Sequence, residues 1–150
     1  MSQRRRALLW WALVAAYLLT IAIAWTRPEF GADYAIRLLA RWFPTLEPAK
    51  IRLAVVAARK VAHFLGYGVF SVILCNAFLS MAPDRPSRRN VFGRAVLAAL
   101  GALALAVIDE SRQHASPFRT GATADIFLDV LGIATGLALR ILTGNGRRET

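Results

Sequence analysis

Four long apolar runs alternate with short polar stretches along this chain. The first extends from about Ala7 to Thr26 without a charge, and about 20 helical residues span the roughly 30 Å hydrocarbon core of a bilayer. The second begins near Leu53 or Val61, where Arg59, Lys60 and His63 interrupt it, and ends near Ala82. The third runs from about Val91 to Ile108 and stops at Asp109 and Glu110; the fourth runs from about Ala124 to Thr143. The expected spans are therefore about 7–26, 57–82, 91–110 and 124–143. Pro28, Gly31, Pro44 and Pro48 punctuate residues 27–52, where Ile36, Leu39, Ala40 and Phe43 recur at helical spacing with Arg37 and Arg41 between them. That pattern predicts a short amphipathic helix, either lying at the membrane interface or serving as an ordinary loop helix. Pro83 and Pro86 break the 83–90 turn, and residues 111–123 form a polar connection with Pro117 and Gly121. The fold class that follows is all-α: one polytopic membrane bundle of about four transmembrane helices over residues 1–150, with the amphipathic helix between the first and second spans.

Composition agrees with that reading. The chain is 57% hydrophobic, and a soluble domain this apolar would expose large aggregation-prone patches. Its formal net charge of +10 raises the possibility of nucleic acid. The basic residues, however, fall in the gaps between apolar runs rather than in one stripe, so no nucleic-acid partner is expected. Cys75 is the only cysteine and lies inside an apolar run, where it packs as a small hydrophobe. With four spans, Arg4 to Arg6, the 83–90 turn and the tail with Arg147 and Arg148 fall on one side. The positive-inside rule makes that side cytoplasmic, with both termini inside, although the 27–52 connection also carries basic residues. A competing reading of the first run is a signal peptide cleaved near Ala22-Ile23-Ala24, but the run is longer than the usual signal core.

The interruptions carry the candidate chemistry. Lys60, His63 and Tyr67 are spaced i, i+3, i+7 towards the outer end of the second span and share one helix face. The third span delivers Asp109, Glu110 and Gln113 to the same end, with Asp109 and Gln113 on one face if the helix continues that far. Asp125 and Asp129 open the fourth, with Arg112, His114 and Arg119 in the connection. The inner halves of the spans read as nearly free of charge. Ionisable groups near a bilayer are costly unless paired or hydrated, so a mixed-charge cluster open to the outer face is expected, with Arg59, Lys60, Arg112 and Arg119 as counter-charges. The alternative is a set of helix-end pins, with Asp125 as cap and dipole partner. Gly132 and Gly136 read as close helix packing, and Asn76 as an interhelical hydrogen bond.

These residues resemble a known pattern. Arg59-Lys60-x-x-His63-Phe64-x-x-Tyr67 is similar to the Lys-x-x-His-Phe-x-x-Tyr signature of the VanZ-like family. Asp109-Glu110-x-x-Gln113, followed by Arg119, Asp125, Gly132 and Gly136, resembles its second block. The resemblance covers about Arg59 to Gly136. It implies a small bacterial inner-membrane protein whose founding relatives are linked to low-level resistance to teicoplanin by a mechanism not established. It also makes Lys60, His63, Tyr67, Asp109, Glu110, Gln113, Arg119 and Asp125 the family's polar positions. Two positions depart: Arg59 stands where an acidic residue is usual, and Asp129 where Asn is usual. These changes alter the local charge balance and so the ligand preference.

Three functions compete. In the first, the cluster (Lys60, His63, Tyr67, Asp109, Glu110, Gln113, Arg119, Asp125, Asp129) recognises the anionic head group of a membrane lipid or a lipid-linked cell-wall precursor. Lys60, Arg112 and Arg119 would contact the anion, and Tyr67 and Gln113 would orient it. In the second, His63 with Asp109 or Glu110 is the acid/base pair of an enzyme acting on a lipid-linked substrate; no nucleophile motif accompanies it, since Ser111 and Ser116 lack an elbow sequence. A metal version would draw on His63, Glu110, His114 and Asp125 or Asp129, but no paired metal-ligand motif is present, so neither metal nor cofactor is expected. In the third, the cluster is internal glue in a structural or partner-binding protein. The sequence fixes no oligomeric state.

Overall fold

The computed structural model describes residues 2–27, 29, 31–82, 86–114 and 123–145. Arg119, Ser116 and the tail with Arg147 and Arg148 lie outside the described residues, as do most of the 111–123 connection and Pro83 to Arg85 of the turn. Five helices are described: α1 (Gln3–Thr26), α2 (Ala32–Trp42), α3 (Pro48–Ser80), α4 (Arg88–His114) and α5 (Thr123–Asn145). Ser2 caps α1 by accepting from the Arg5 amide, and Pro48 opens α3 at a position where the missing N–H costs nothing. Four of them, α1, α3, α4 and α5, are long and apolar enough to cross a membrane. The expected second span proves to be part of a 33-residue helix, roughly 50 Å long, so α3 is longer than a bilayer core is thick.

α3 is the hub and packs against each of the other four helices. Its partnership with α5 is made by glycines. A Cβ at Gly132 would fall on the Phe64 carbonyl, one at Gly136 on the Gly68 carbonyl, and one at Gly68 would lie 3.0 Å from the Gly132 oxygen. The backbones therefore approach closely, which is how apolar helices gain attraction where lipid competes for every apolar contact. α4 does the same with alanine: Ala95, Ala98, Ala102 and Ala106 form its buried stripe. α1 is held by rings, with Tyr17 stacked on Phe70 at 4.5 Å and Trp11 edge-on to Phe78 at 5.7 Å. The large exposed side chains of the spans, among them Leu8, Leu19, Phe92, Leu100 and Leu142, point outward, as the lipid-facing side chains of a membrane bundle do.

α2 packs against α3, with Ile36, Leu38 and Leu39 half-buried, and leaves Tyr34 and Trp42 exposed, with Phe43 and Leu46 exposed just beyond it. Asp33 in its first turn and Arg41 in its last match the helix dipole.

The bundle has two chemically different ends. At one lie Trp25, Arg59, Asp109 and Asp125, which bond to one another in pairs. At the other, Gln3 donates to the Ala82 carbonyl at 2.7 Å, Arg94 to the Phe78 carbonyl, and Arg140 Nε to Asn76 Oδ1 at 2.6 Å. The expectation that this half of the spans is nearly free of charge is thus corrected. Arg94 and Arg140 both enter it, each donating one hydrogen bond to an acceptor on α3. Asn76 makes the interhelical bond read from the sequence, with an arginine as its partner.

Candidate functional site

The polar end is assembled from α1, α3, α4 and α5. α4 remains helical past Ile108 to His114, so Asp109 and Gln113 stand on one face, and Gln113 Nε2 donates to Asp109 Oδ2 at 3.0 Å. Tyr67 on α3 donates to the same oxygen at 3.0 Å, and the Trp25 indole on α1 donates to Asp109 Oδ1 at 2.6 Å. Asp109, 5% exposed, is thereby held by donors from three helices. Glu110 and Gln113 are buried beside it.

A second group joins α3 to α5. Arg59 donates to Asp125 Oδ2 at 2.8 Å, and His63 Nδ1 lies 3.1 Å from Asp129 Oδ1. The two pairs repeat because Arg59 and His63 are four residues apart on α3 and Asp125 and Asp129 four apart on α5. Asp125 and Asp129 are each 1% exposed, and Asp125 also sits in the first turn of α5, where the helix dipole favours a negative charge. One oxygen of each, Asp125 Oδ1 and Asp129 Oδ2, is buried without a hydrogen-bond partner among the described residues.

The structure thus brings together His63, Tyr67, Asp109, Glu110, Gln113, Asp125 and Asp129 from the set read off the sequence. Lys60 is not among them. It is exposed on the other flank of α3, and Arg59 occupies the inward position. Arg112 is also exposed, with its guanidinium carbon 5.1 Å above the Trp25 ring. Arg119 and the side chain of His114 lie outside the described residues. Tyr67 and Gln113, expected to orient a ligand, spend their donors on Asp109. Among the described residues, no group of three or more His, Cys, Asp or Glu side chains has the arrangement of a metal site. Trp25 is a member of the cluster that sequence reasoning missed.

Next to this buried core is a groove. Lys60, Val61, Phe64, Phe127 and Leu128 line its mouth, a space of about 490 Å³ between α3 and α5. Phe64 also lines the next space along these helices, about 440 Å³ over Gly68, Val72, Gly132, Gly136 and Leu139, bordered by Trp10 of α1 and apolar but for Thr135. The glycines that bring the backbones together also leave this surface hollow.

A family model described as VanZ/LLP1 matches residues 7–143. The chain belongs to the VanZ/LLP1 family. That match takes in most of all four spans, and with the four apolar helices it makes this VanZ/LLP1 member an integral membrane protein. No curated protein and no solved structure matches the chain. Arg59 and Asp129, the two positions read from the sequence as departures, each belong to a polar pair across the α3–α5 contact, Arg59 with Asp125 and Asp129 with His63.

Proposed function

We propose that this VanZ/LLP1 protein binds a long-chain anionic lipid at its polar end, with the lipid's phosphate at Lys60 and its chain in the α3–α5 groove. The observation that carries this reading is the position of Lys60 at the mouth of a groove whose other walls are apolar. An ammonium at the end of a hollow apolar surface complements an amphiphile with a charged head and a hydrocarbon tail. On this reading the anion sits at the flank of the cluster rather than in its interior, where carboxylates predominate. The buried cluster fixes α3 against α4 and α5 and so holds the groove open. Membrane phospholipids and isoprenoid-linked envelope precursors share that charged head and hydrocarbon tail. The setting is a bacterial inner membrane with the basic termini cytoplasmic and the polar end outside. An envelope role, including the glycopeptide resistance with which the founding relatives are linked, would follow from holding such a precursor.

Titration of the nanodisc-reconstituted protein with phosphatidylglycerol and with an isoprenoid phosphate tests this. Lys60→Gln is expected to weaken binding by about tenfold, the usual scale of one lost charge-assisted contact, without changing stability. Equal affinity in Lys60→Gln for both lipids removes the reading.

A second reading rests on the His63–Asp129 pair. A carboxylate 3.1 Å from Nδ1 orients an imidazole for proton transfer at its other nitrogen. A membrane enzyme acting on a lipid-linked substrate would release a product on incubation with an isoprenoid phosphate or pyrophosphate, and His63→Gln would abolish release. Absence of product with the folded wild-type protein leaves the binding reading alone.

A further inference from the structure

At the opposite end of the bundle, a pocket of about 640 Å³ opens between α1, α3 and α5, with Arg6, Trp10, Asn76, Ser80, Arg140 and Thr143 among its walls. Its chemistry differs from that of the polar end. Arg140 arrives from the apolar helix α5, and its Nε is fixed by Asn76 Oδ1 at 2.6 Å. That bond sets the guanidinium plane and leaves the terminal amino groups as the donors still to be satisfied. One of them, Nη1, lies in the space a Cβ at Gly144 would occupy, so the glycine gives the guanidinium room. Thr143 donates back to the Leu139 carbonyl and Ser80 to the Ala77 carbonyl, so neither hydroxyl hydrogen competes for the space. Among the described residues no carboxylate lines the pocket, and Arg6 adds a second positive charge.

An arginine held at membrane depth by a neutral amide is left with an uncompensated charge, which is costly in a low-dielectric setting. An anion supplied from the adjoining leaflet meets that need. The pocket is polar where Arg6, Asn76 and Arg140 line it, and Trp10 borders both it and the apolar groove, so the surface passes from charge to hydrocarbon across that ring. We infer that this is a second lipid site, in which Arg140 and Arg6 clamp the phosphodiester of an anionic glycerophospholipid from the leaflet on the side of the chain termini. Two guanidinium groups suit a phosphate because each offers parallel N–H donors. Its charged groups lie at the opposite end of the bundle from Lys60, and the phosphate contact they make does not depend on that residue.

The test is native mass spectrometry of detergent-purified protein carrying Lys60→Gln, so that lipid at the polar end contributes little to the count. Phosphatidylglycerol and phosphatidylcholine are added at equal concentration, with inorganic phosphate as a third arm. Preferential retention of phosphatidylglycerol is expected, reduced about tenfold by Arg140→Gln and less by Arg6→Gln. Gly144→Leu keeps both arginines but fills the pocket, and is expected to lower retention as Arg140→Gln does; it serves if Arg140→Gln fails to fold. Equal retention of the two lipids overturns the inference, as does retention unaltered in Gly144→Leu and Arg6→Gln. Displacement of the lipid by millimolar inorganic phosphate would assign the pocket to free phosphate and overturn the lipid assignment.

Discussion

The Trp25 indole donates to Asp109 Oδ1 at 2.6 Å across 84 residues of sequence, tying the end of the first helix to the end of the third membrane-spanning one. With Tyr67 and Gln113 on the other oxygen, both sides of one buried carboxylate are engaged. Asp109 is therefore the point at which α1, α3 and α4 are fixed relative to one another.

Removing one of these donors strands part of a buried carboxylate. Trp25→Phe retains the ring and much of its stacking on Arg112 but not the N–H. It is expected to lower stability in detergent by about 1 kcal/mol, the scale of an interhelical hydrogen bond in a membrane protein. Tyr67→Phe should cost a similar amount. Because both donors act on one carboxylate, the double variant should depart from additivity. Thermal melts of the four proteins check this, and unchanged midpoints in both single variants would show the carboxylate to be held by other means.

The glycine contact between α3 and α5 predicts a steep position dependence. Gly132→Ala places a methyl on the Phe64 carbonyl, and backbone cannot rotate away as a side chain can. A loss of about 1–3 kcal/mol is expected. Gly93→Ala on α4 meets nothing within 4 Å and removes a flexible residue from a helix, so it should be neutral or stabilising by less than about 1 kcal/mol. Comparable losses in the two variants would mean that helix propensity, not the close approach, governs both.

Most of the polar end was legible in the sequence because two periodicities coincide. Antiparallel spans return to the same membrane surface, and spacings of three or four keep His63 with Tyr67, Asp109 with Gln113 and Asp125 with Asp129 on shared faces. The choice between Arg59 and Lys60 was not legible. Successive helical residues diverge by about 100°, and both fit a face that includes His63; the rotation of α3 is set by its packing against α5, where Asp125 receives Arg59. Trp25 was hidden for another reason. An aromatic residue near a span's end reads as an interfacial anchor, and its hydrogen-bond partner lies on a helix that sequence order does not make its neighbour. Arg140 did leave a signal, an arginine inside the last apolar run, but its pairing with Asn76 depends on the depth at which α3 and α5 align.

The Arg59–Asp125 pair gives a prediction in which two mutations do less harm than one. Arg59→Met leaves Asp125, 1% exposed, without its guanidinium and should cost about 3–5 kcal/mol. Adding Asp125→Leu removes the stranded charge and should recover much of that loss, since an apolar pair of similar volume is tolerated in a buried site. Chemical denaturation of the two variants and the wild type in mixed micelles gives the comparison. A double variant no more stable than Arg59→Met would show that Asp125 is compensated by another group.

α2 makes the last prediction. It packs against α3 with Ile36 and Leu39 half-buried, yet Trp42, Phe43 and Leu46 remain exposed at the junction with α3. A helix that had only α3 to satisfy would have no reason to present these side chains to water, whereas a helix lying at the membrane interface would seat them at head-group depth and keep Arg37 and Arg41 hydrated. In a protein whose other tryptophans are replaced by phenylalanine, Trp42 fluorescence should be strongly quenched by lipids brominated near the head group and little by lipids brominated at the chain ends. Replacing Trp42 and Phe43 with serine should leave the bundle's melting temperature nearly unchanged, because neither side chain is buried against it. Quenching by aqueous iodide instead of by brominated lipid would make α2 a water-exposed connector, held by α3 alone.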